Sequence, residues 1–238
     1  MNQSAAPPGD RGYVDPDLLV TTEWLARHID DPGVRVVDTD RPDAYARVHI
    51  TNAVGVSDNY YKAGPDRVHV QGPAEFASTM NALGISDDTL VIAYDSELHF
   101  APRLFWALNY YGHRKVKVLD GGFPKWLAEG RAISRTVPKP LAGRFSPRAD
   151  ASWIATKEQV VSCIRKPDAL LLDVRTDEEW TGANARGTRR GGRLPGAVHL
   201  EWKNFVDWGE IPTLKAGDEL RSLLARHGIT PDKNVITY

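Results

Sequence analysis

Cysteine is almost missing from this chain: Cys163 is the only one in 238 residues. An internal disulfide is impossible, and with no signal segment the cytoplasm is the default compartment. The opening "MNQSAAPPGDRG" has none of the apolar core that a secretory signal needs. Residues 1–15 read as a flexible N-terminal tail. Charge of one sign is lacking as well. The net charge is −1, so no global field draws the molecule to nucleic acid or to an anionic membrane. Long apolar runs are absent; stretches such as "LVIAY" (90–94) fall far short of a bilayer's thickness. The seven histidines are scattered and no H-E-x-x-H occurs, so neither a metal nor a resident cofactor is expected. G-x-G-x-x-G, G-x-x-x-x-G-K-[ST] and G-x-S-x-G are missing too. That removes the usual dinucleotide, P-loop and hydrolase readings.

What the chain does have is a copy of itself. "LGISDDTLVIAY" (83–94) matches "HGITPDKNVITY" (227–238) at an offset of 144. Both carry a Gly-Ile pair, a polar turn with Asp, and a strand ending in Tyr. "NAVGV" (52–56) matches "GAVHL" (196–200), also at 144. Upstream the offset is smaller: Asp38 of "VRVVDTD" pairs with Asp173 of "ALLLDVR" at 135, and the helix signals at Thr22 and Thr156 differ by 134. The second copy therefore gains about nine residues, within the Gly/Arg-rich "TGANARGTRRGGR" (181–193). Repetition in conserved order points to tandem duplication.

The expected division is a first domain over 16–130, a linker over 131–150 and a second domain over 151–238. The linker holds three prolines and reads as a solvated, semi-extended connector. Its basic residues lack interleaved aromatics, so no nucleic-acid role is read from them. In each copy strands alternate with helices. The first runs through strand 34–40, helix 73–83 with Phe76, Met80 and Leu83 on one face, strand 89–95, helix 100–112 and strand 115–122. Thr156 and Gln159 have capping-box spacing. Such alternation predicts an α/β fold of parallel sheets with helices on both faces. Ligands then sit beyond the carboxyl ends of the strands. After Tyr94, Asp95 opens a six-residue loop into a helix N-terminus, where backbone N–H groups converge on an anion or thiolate. A cysteine at the loop's first position would have its pKa lowered there.

At "YGHRKVKVLDGGFPKW" (111–126), "LLDVRTDEEW" (171–180) and "GGRLPGAVHLEW" (191–202) the chain resembles the tandem-domain rhodaneses, the thiosulfate sulfurtransferases. The resemblance runs from about Leu18 to Tyr238. It implies two rhodanese-like domains, the first inactive, with Asp95 in the place of the nucleophile. It also implies that the catalytic cysteine comes directly after Tyr238, so the second domain is incomplete in these residues. Counterparts of Leu104, Phe105, Trp106, Leu108, Val116 and Val118 would be wanting, on the order of 10 kcal/mol of burial. The segment 1–238 alone is therefore expected to be inactive and to lack an intact second domain. The implied chemistry moves a sulfane sulfur from thiosulfate to cyanide or another thiophile through a cysteine persulfide. A small sulfur-containing anion and a thiophilic acceptor are the implied partners.

Asp173, Arg175 and Glu179 lie at and just past a strand end, where related domains brace the floor of the site; Arg175 and Glu179, four apart, have the spacing of an ion pair. Arg193 is the candidate contact for an oxyanion such as thiosulfate. Trp202 is the candidate wall of a pocket between the domains. Arg186, Arg189 and Arg190 complete a basic loop whose plain reading is solvation. Cys163 lies in a helix away from any strand end and reads as an inert packing thiol. Two other functions stay open at this point: a non-catalytic tandem rhodanese that acts as a binding module, and a cysteine phosphatase with a related loop.

Overall fold

The computed structural model describes residues 7–56, 70–164 and 166–238. The chain divides into two compact units, Met1–Asp150 with Trp208–Thr213, and Ala151–Asp207 with Leu214–Tyr238.

The first unit contains strands β1 (Leu19–Val20), β2 (Val34–Asp38), β3 (His49–Ile50), β4 (Val54–Gly55), β5 (Leu90–Tyr94), β6 (Val116–Leu119) and β7 (Ile133–Ser134). Its helices are α1 (Thr22–His28), α2 (Pro42–Arg47), α3 (Pro73–Ala82), α4 (Phe100–Tyr110) and α5 (Gly122–Ala128). The main sheet is parallel in the order β1-β6-β5-β2-β4. Alternation along its strands divides the core. Val37, Val91 and Ala93 pack with Phe76 and Met80 of α3 and with Leu104 and Leu108 of α4. Val36, Ile92 and Tyr94 face the other way, onto Leu25 of α1 and Trp126 of α5. Successive strand residues point to opposite faces, so both faces are covered. Each fully buried Leu, Ile, Phe or Met contributes about 1.5–3 kcal/mol.

Three sequence expectations change here. The cap of α1 is Thr21, not Thr22: its hydroxyl accepts the Trp24 N–H at 3.1 Å. That places the helix signals 135 residues apart, the same as Asp38 and Asp173. The stretch 131–150 is no free connector. Phe145 is buried in the first unit's core beside Phe76, and Gly143 donates its N–H to Asn81 O at 2.8 Å. A Cβ on Gly143 would lie 2.0 Å from Ile85 O, so only glycine allows that approach. The described part of the segment read as a tail is also held. Residues Pro8–Asp10 form a 3₁₀ turn, and the Arg11 guanidinium is buried against Asp120 at 2.5 Å.

The second unit contains α6 (Lys157–Cys163), β8 (Ala169–Asp173), α7 (Asp177–Thr181), β9 (Val198–His199), β10 (Val206–Asp207), β11 (Thr213–Leu214), α8 (Gly217–Arg226) and β12 (Asn234–Thr237). The capping box of α6 is made on both sides, Thr156 with Gln159. The parallel sheet β12-β8-β9 repeats β5-β2-β4 of the first unit in register. Val37 pairs with Val54 as Leu172 pairs with Val198, and Val34 with Leu90 as Ala169 with Asn234. Its core centres on Leu172, Leu200 and Leu223. Among the described residues β12 pairs with β8 alone, and none of its residues is fully buried, whereas four of the five in β5 are.

Candidate functional site

In the first unit β5 delivers Asp95 to the carboxyl edge of the sheet. One carboxylate oxygen accepts the N–H groups of Glu97, at 3.1 Å, and Leu98. The other accepts those of Phe100 and, at 2.7 Å, Ala101. The last two are the first donors of α4, which have no partner inside the helix. Leu98 adopts φ +60° to turn the loop, a conformation non-glycine residues seldom take. Four backbone donors thus surround one anionic group, with the N-terminal field of α4 behind them. Burial pushes the Asp95 carboxyl up from its usual range and nearby Asp40 adds to this, against the lowering by the amides.

Asp38 ends β2 beside this loop. It accepts the Tyr94 hydroxyl at 2.6 Å and the Asp40 N–H at 2.9 Å, and the Tyr94 oxygen accepts the Ile50 N–H at 3.0 Å. Asp40 in turn accepts the Ser96 N–H and hydroxyl. Burial, reinforced by Asp40, carries the Asp38 carboxyl up to about 6. A carboxyl with a raised folded pKa binds its proton more tightly folded than unfolded. The Asp38 contribution to the first unit's stability is therefore expected to fall as pH rises from about 4 to about 6, by up to about 3 kcal/mol. Asp38→Asn is expected to flatten that slope in urea unfolding between pH 4 and 7. A slope left unchanged would place the titration elsewhere.

The second unit rebuilds the same strand ends with different charge. Val174 N–H donates to Tyr238 O as Thr39 N–H donates to Tyr94 O, and Leu200 N–H donates to Asp173 O as Val56 N–H does to Asp38 O. The Tyr238 hydroxyl accepts the Leu194 N–H at 3.1 Å, the counterpart of Ile50 on Tyr94. Arg175 stands where the first unit has Asp40. Its guanidinium grips Asp173 with two hydrogen bonds, at 2.9 and 2.6 Å, donates to Gly192 O at 2.9 Å, and lies 5.1 Å over the Tyr238 ring. Burial pushes Asp173 up, but the Arg175 hydrogen bonds outweigh it and hold the carboxyl below its usual range. Two equivalent aspartates are thus moved in opposite directions: burial prevails at Asp38, and the Arg175 hydrogen bonds prevail at Asp173.

The remaining sequence candidates separate. Glu179 does not pair with Arg175. It is buried, folds back onto Thr176 as a capping box, and meets Arg186 at 3.2 Å. Closing that box turns Glu179 toward the helix N-terminus, and Arg175 takes the deeper acid, Asp173. The Arg193 guanidinium carbon lies 4.4 Å from the Trp180 ring centroid, and His199 stacks on Trp180 at 4.8 Å. Trp202 is half-buried and its N–H donates to Val174 O at 3.0 Å, which draws the turn 202–205 to the end of β8. Cys163 is half-buried at the end of α6, apart from this constellation. Sequence reasoning passed over Tyr94 and Tyr238 as site residues, although their repetition at the two strand ends was the available signal. The Trp180–His199 stack left no such trace, since His199 has a glycine as its repeat partner.

Strand ends of this kind, with an anion-holding loop leading into a helix, define a class. The chain belongs to the family of the Rhodanese-like domain, whose model matches residues 21–129 and 156–238. It is 34% identical over 240 residues to the "Sulfur carrier protein TtuD" of Thermus thermophilus, covering 95% of this chain and 84% of that one. It is 30% identical over 238 residues to the "Thiosulfate sulfurtransferase" of Bos taurus, covering 92% and 80%. Among solved structures it is similar to SseA from Escherichia coli, described as a 3-mercaptopyruvate sulfotransferase, with TM-score 0.82, 27% identity, and coverage of 92% and 87%. The architecture is accordingly the α/β rhodanese fold in two copies, and the relatives' names support a sulfurtransferase role. No helix among the described residues is long and apolar enough to cross a membrane. No group of three or more His, Cys, Asp or Glu among them is arranged to hold a metal.

Proposed function

We propose that the protein is a thiosulfate sulfurtransferase whose nucleophile is a cysteine directly following Tyr238. One observation carries this reading: the Asp95 carboxylate is held by four backbone N–H groups, and Tyr238 occupies in the second unit the place of Tyr94. A residue next along the second copy stands where Asp95 stands in the first. There a thiolate is stabilised by converging amides, and so is the persulfide it becomes.

In the first half-reaction the thiolate attacks the outer sulfur of thiosulfate. The S–S bond of the donor breaks, its electron pair leaves with sulfite, and the sulfur stays on the enzyme as a persulfide. In the second, cyanide or another thiophile attacks that outer sulfur, and the electron pair of the enzyme's S–S bond returns to the cysteine. Arg175, already anchored by Asp173, supplies a fixed positive charge beside this point. Arg193 rests against Trp180, and its guanidinium N–H groups suit the sulfonate oxygens of the donor. Asp173 and Glu179 hold the floor through Arg175 and the cap of α7. Trp202 is proposed as part of the wall.

The full-length protein, incubated with thiosulfate and cyanide, is expected to form thiocyanate and sulfite in equal amounts. The segment 1–238 by itself is expected to form neither. Full-length protein that releases no thiocyanate would end this reading.

A further inference from the structure

The loop after α7 has no counterpart in the first unit, and its form is built rather than slack. Gly182 closes α7 with φ +88°, and a Cβ on Gly191 would lie 2.7 Å from Gly182 O. The two ends of the loop are pinched together at glycines, which makes 183–190 a compact Ω-loop. It is hydrogen-bonded to itself and to α7. Asn184 N–H donates to Glu178 O, Arg186 N–H to Asn184 Oδ1, and the Thr188 hydroxyl bonds to Ala185 O and Arg190 O. Just past the neck, Gly192 O accepts from Arg175, and Leu194 N–H reaches the Tyr238 hydroxyl. The loop therefore stands on the carboxyl edge of the second sheet. Arg190 is two residues from Gly192, so their Cα atoms are at most about 7 Å apart.

Four arginines and no acid lie within 181–193. Arg186 is taken by Glu179 and Arg193 by Trp180. Arg189 and Arg190 are exposed, and neither side chain meets a partner among the described residues. Two consecutive, exposed arginines on a held loop offer two guanidinium groups to a pair of carboxylates. The loop carries no aromatic residue on which a base would stack, which weighs against single-stranded nucleic acid. Arg175 is the cation beside Tyr238, at the end of the sheet. Arg189 and Arg190 lie on the exposed part of the loop just before its glycine neck.

Resting on the sulfurtransferase reading above, we infer that Arg189 and Arg190 form a subsite for thiol acceptors that carry two carboxylates. The acceptor thiolate attacks the outer sulfur of the enzyme persulfide, the enzyme's S–S bond breaks with its electron pair on the cysteine, and the acceptor leaves as its own persulfide. The two carboxylates stay on the arginines throughout and take no part in the bond changes.

The test uses full-length protein with thiosulfate as donor and sulfite release as readout. Mercaptosuccinate, a dicarboxylate thiol, is compared with neutral 2-mercaptoethanol. Arg189→Ala with Arg190→Ala is expected to lower the ratio of their kcat/KM values roughly tenfold. The effect should shrink with added salt, and Arg189→Lys with Arg190→Lys should keep most of the preference. An unchanged ratio would overturn the inference alone, as would a loss confined to kcat/KM for thiosulfate. No sulfite release from the unaltered protein with any acceptor, cyanide included, would overturn the sulfurtransferase reading and this inference with it.

Discussion

Asp120→Ala is expected to destabilise the first unit by about 3–5 kcal/mol, because it strands two buried cations. Arg11 approaches one Asp120 oxygen at 2.5 Å and Lys125 the other at 3.5 Å, and all three side chains are nearly inaccessible to water. Removing the acid leaves two like charges in a poorly hydrated place, and their repulsion adds to the lost attraction. For a unit of this size the loss corresponds to a fall in Tm of roughly 10 °C. Adding Arg11→Met to Asp120→Ala is expected to restore part of the stability, since one stranded charge then disappears. Urea unfolding of the wild type, both single variants and the double variant gives the coupling directly. Strictly additive losses would mean that Arg11 and Asp120 do not act on each other. The consequence reaches the loop, because Gly122 lies two residues beyond Asp120. A Cβ on Gly122 would come within 2.4 Å of Asp95 O, and Phe123 N–H donates to that same oxygen at 2.9 Å.

Arg11 also shows where the sequence is silent. The tandem copies were legible because strand registers and turns are local patterns, and a pattern repeats visibly when a gene segment is duplicated. The offsets of 135 and 144 reappear as matching partners, Asp38 beside Gly55 and Asp173 beside His199. A lone arginine in a Pro/Gly-rich opening has no periodicity to read. Its burial depends on meeting an acid 109 residues further on, at Asp120. Phe145 was hidden for a like reason: a single aromatic among prolines and basic residues looks like linker until the core accepts it. The pairing of Arg175 turned on a competition. Spacing favours Glu179 at i+4, but Glu179 is claimed by the Thr176 cap, and the strand-end Asp173 accepts both edges of the guanidinium. The inserted loop was visible only as composition, since its pinched neck depends on contact between glycines nine residues apart.

The amide cradle is testable in the copy where it lies in full view. Asp95→Cys puts a thiol among the donors that now hold the carboxylate, in a Cys163→Ser background so that it is the only one. Two influences compete there. Converging N–H groups and the α4 terminus lower a thiol's pKa; burial and the Asp40 carboxylate raise it, as they already raise Asp95. The second unit shows how the balance is tipped, with Arg175 in the place of Asp40. Adding Asp40→Arg removes an anion and installs a cation, which together are expected to lower the thiol pKa by roughly 2. Below the pKa that means about 100-fold more thiolate. A thiolate of lower basicity is also a weaker nucleophile, by about eightfold for the same change, since reactivity follows only 0.4–0.5 of the pKa. Alkylation by iodoacetamide at pH 6.5 should therefore run about tenfold faster in the variant with Asp40→Arg than in the one without. The rate-against-pH curve yields both pKa values. If the thiol beside the arginine titrates no lower than a free cysteine, near 8.5, the loop amides are not an anion cradle, and the argument for a reactive cysteine after Tyr238 loses its physical basis.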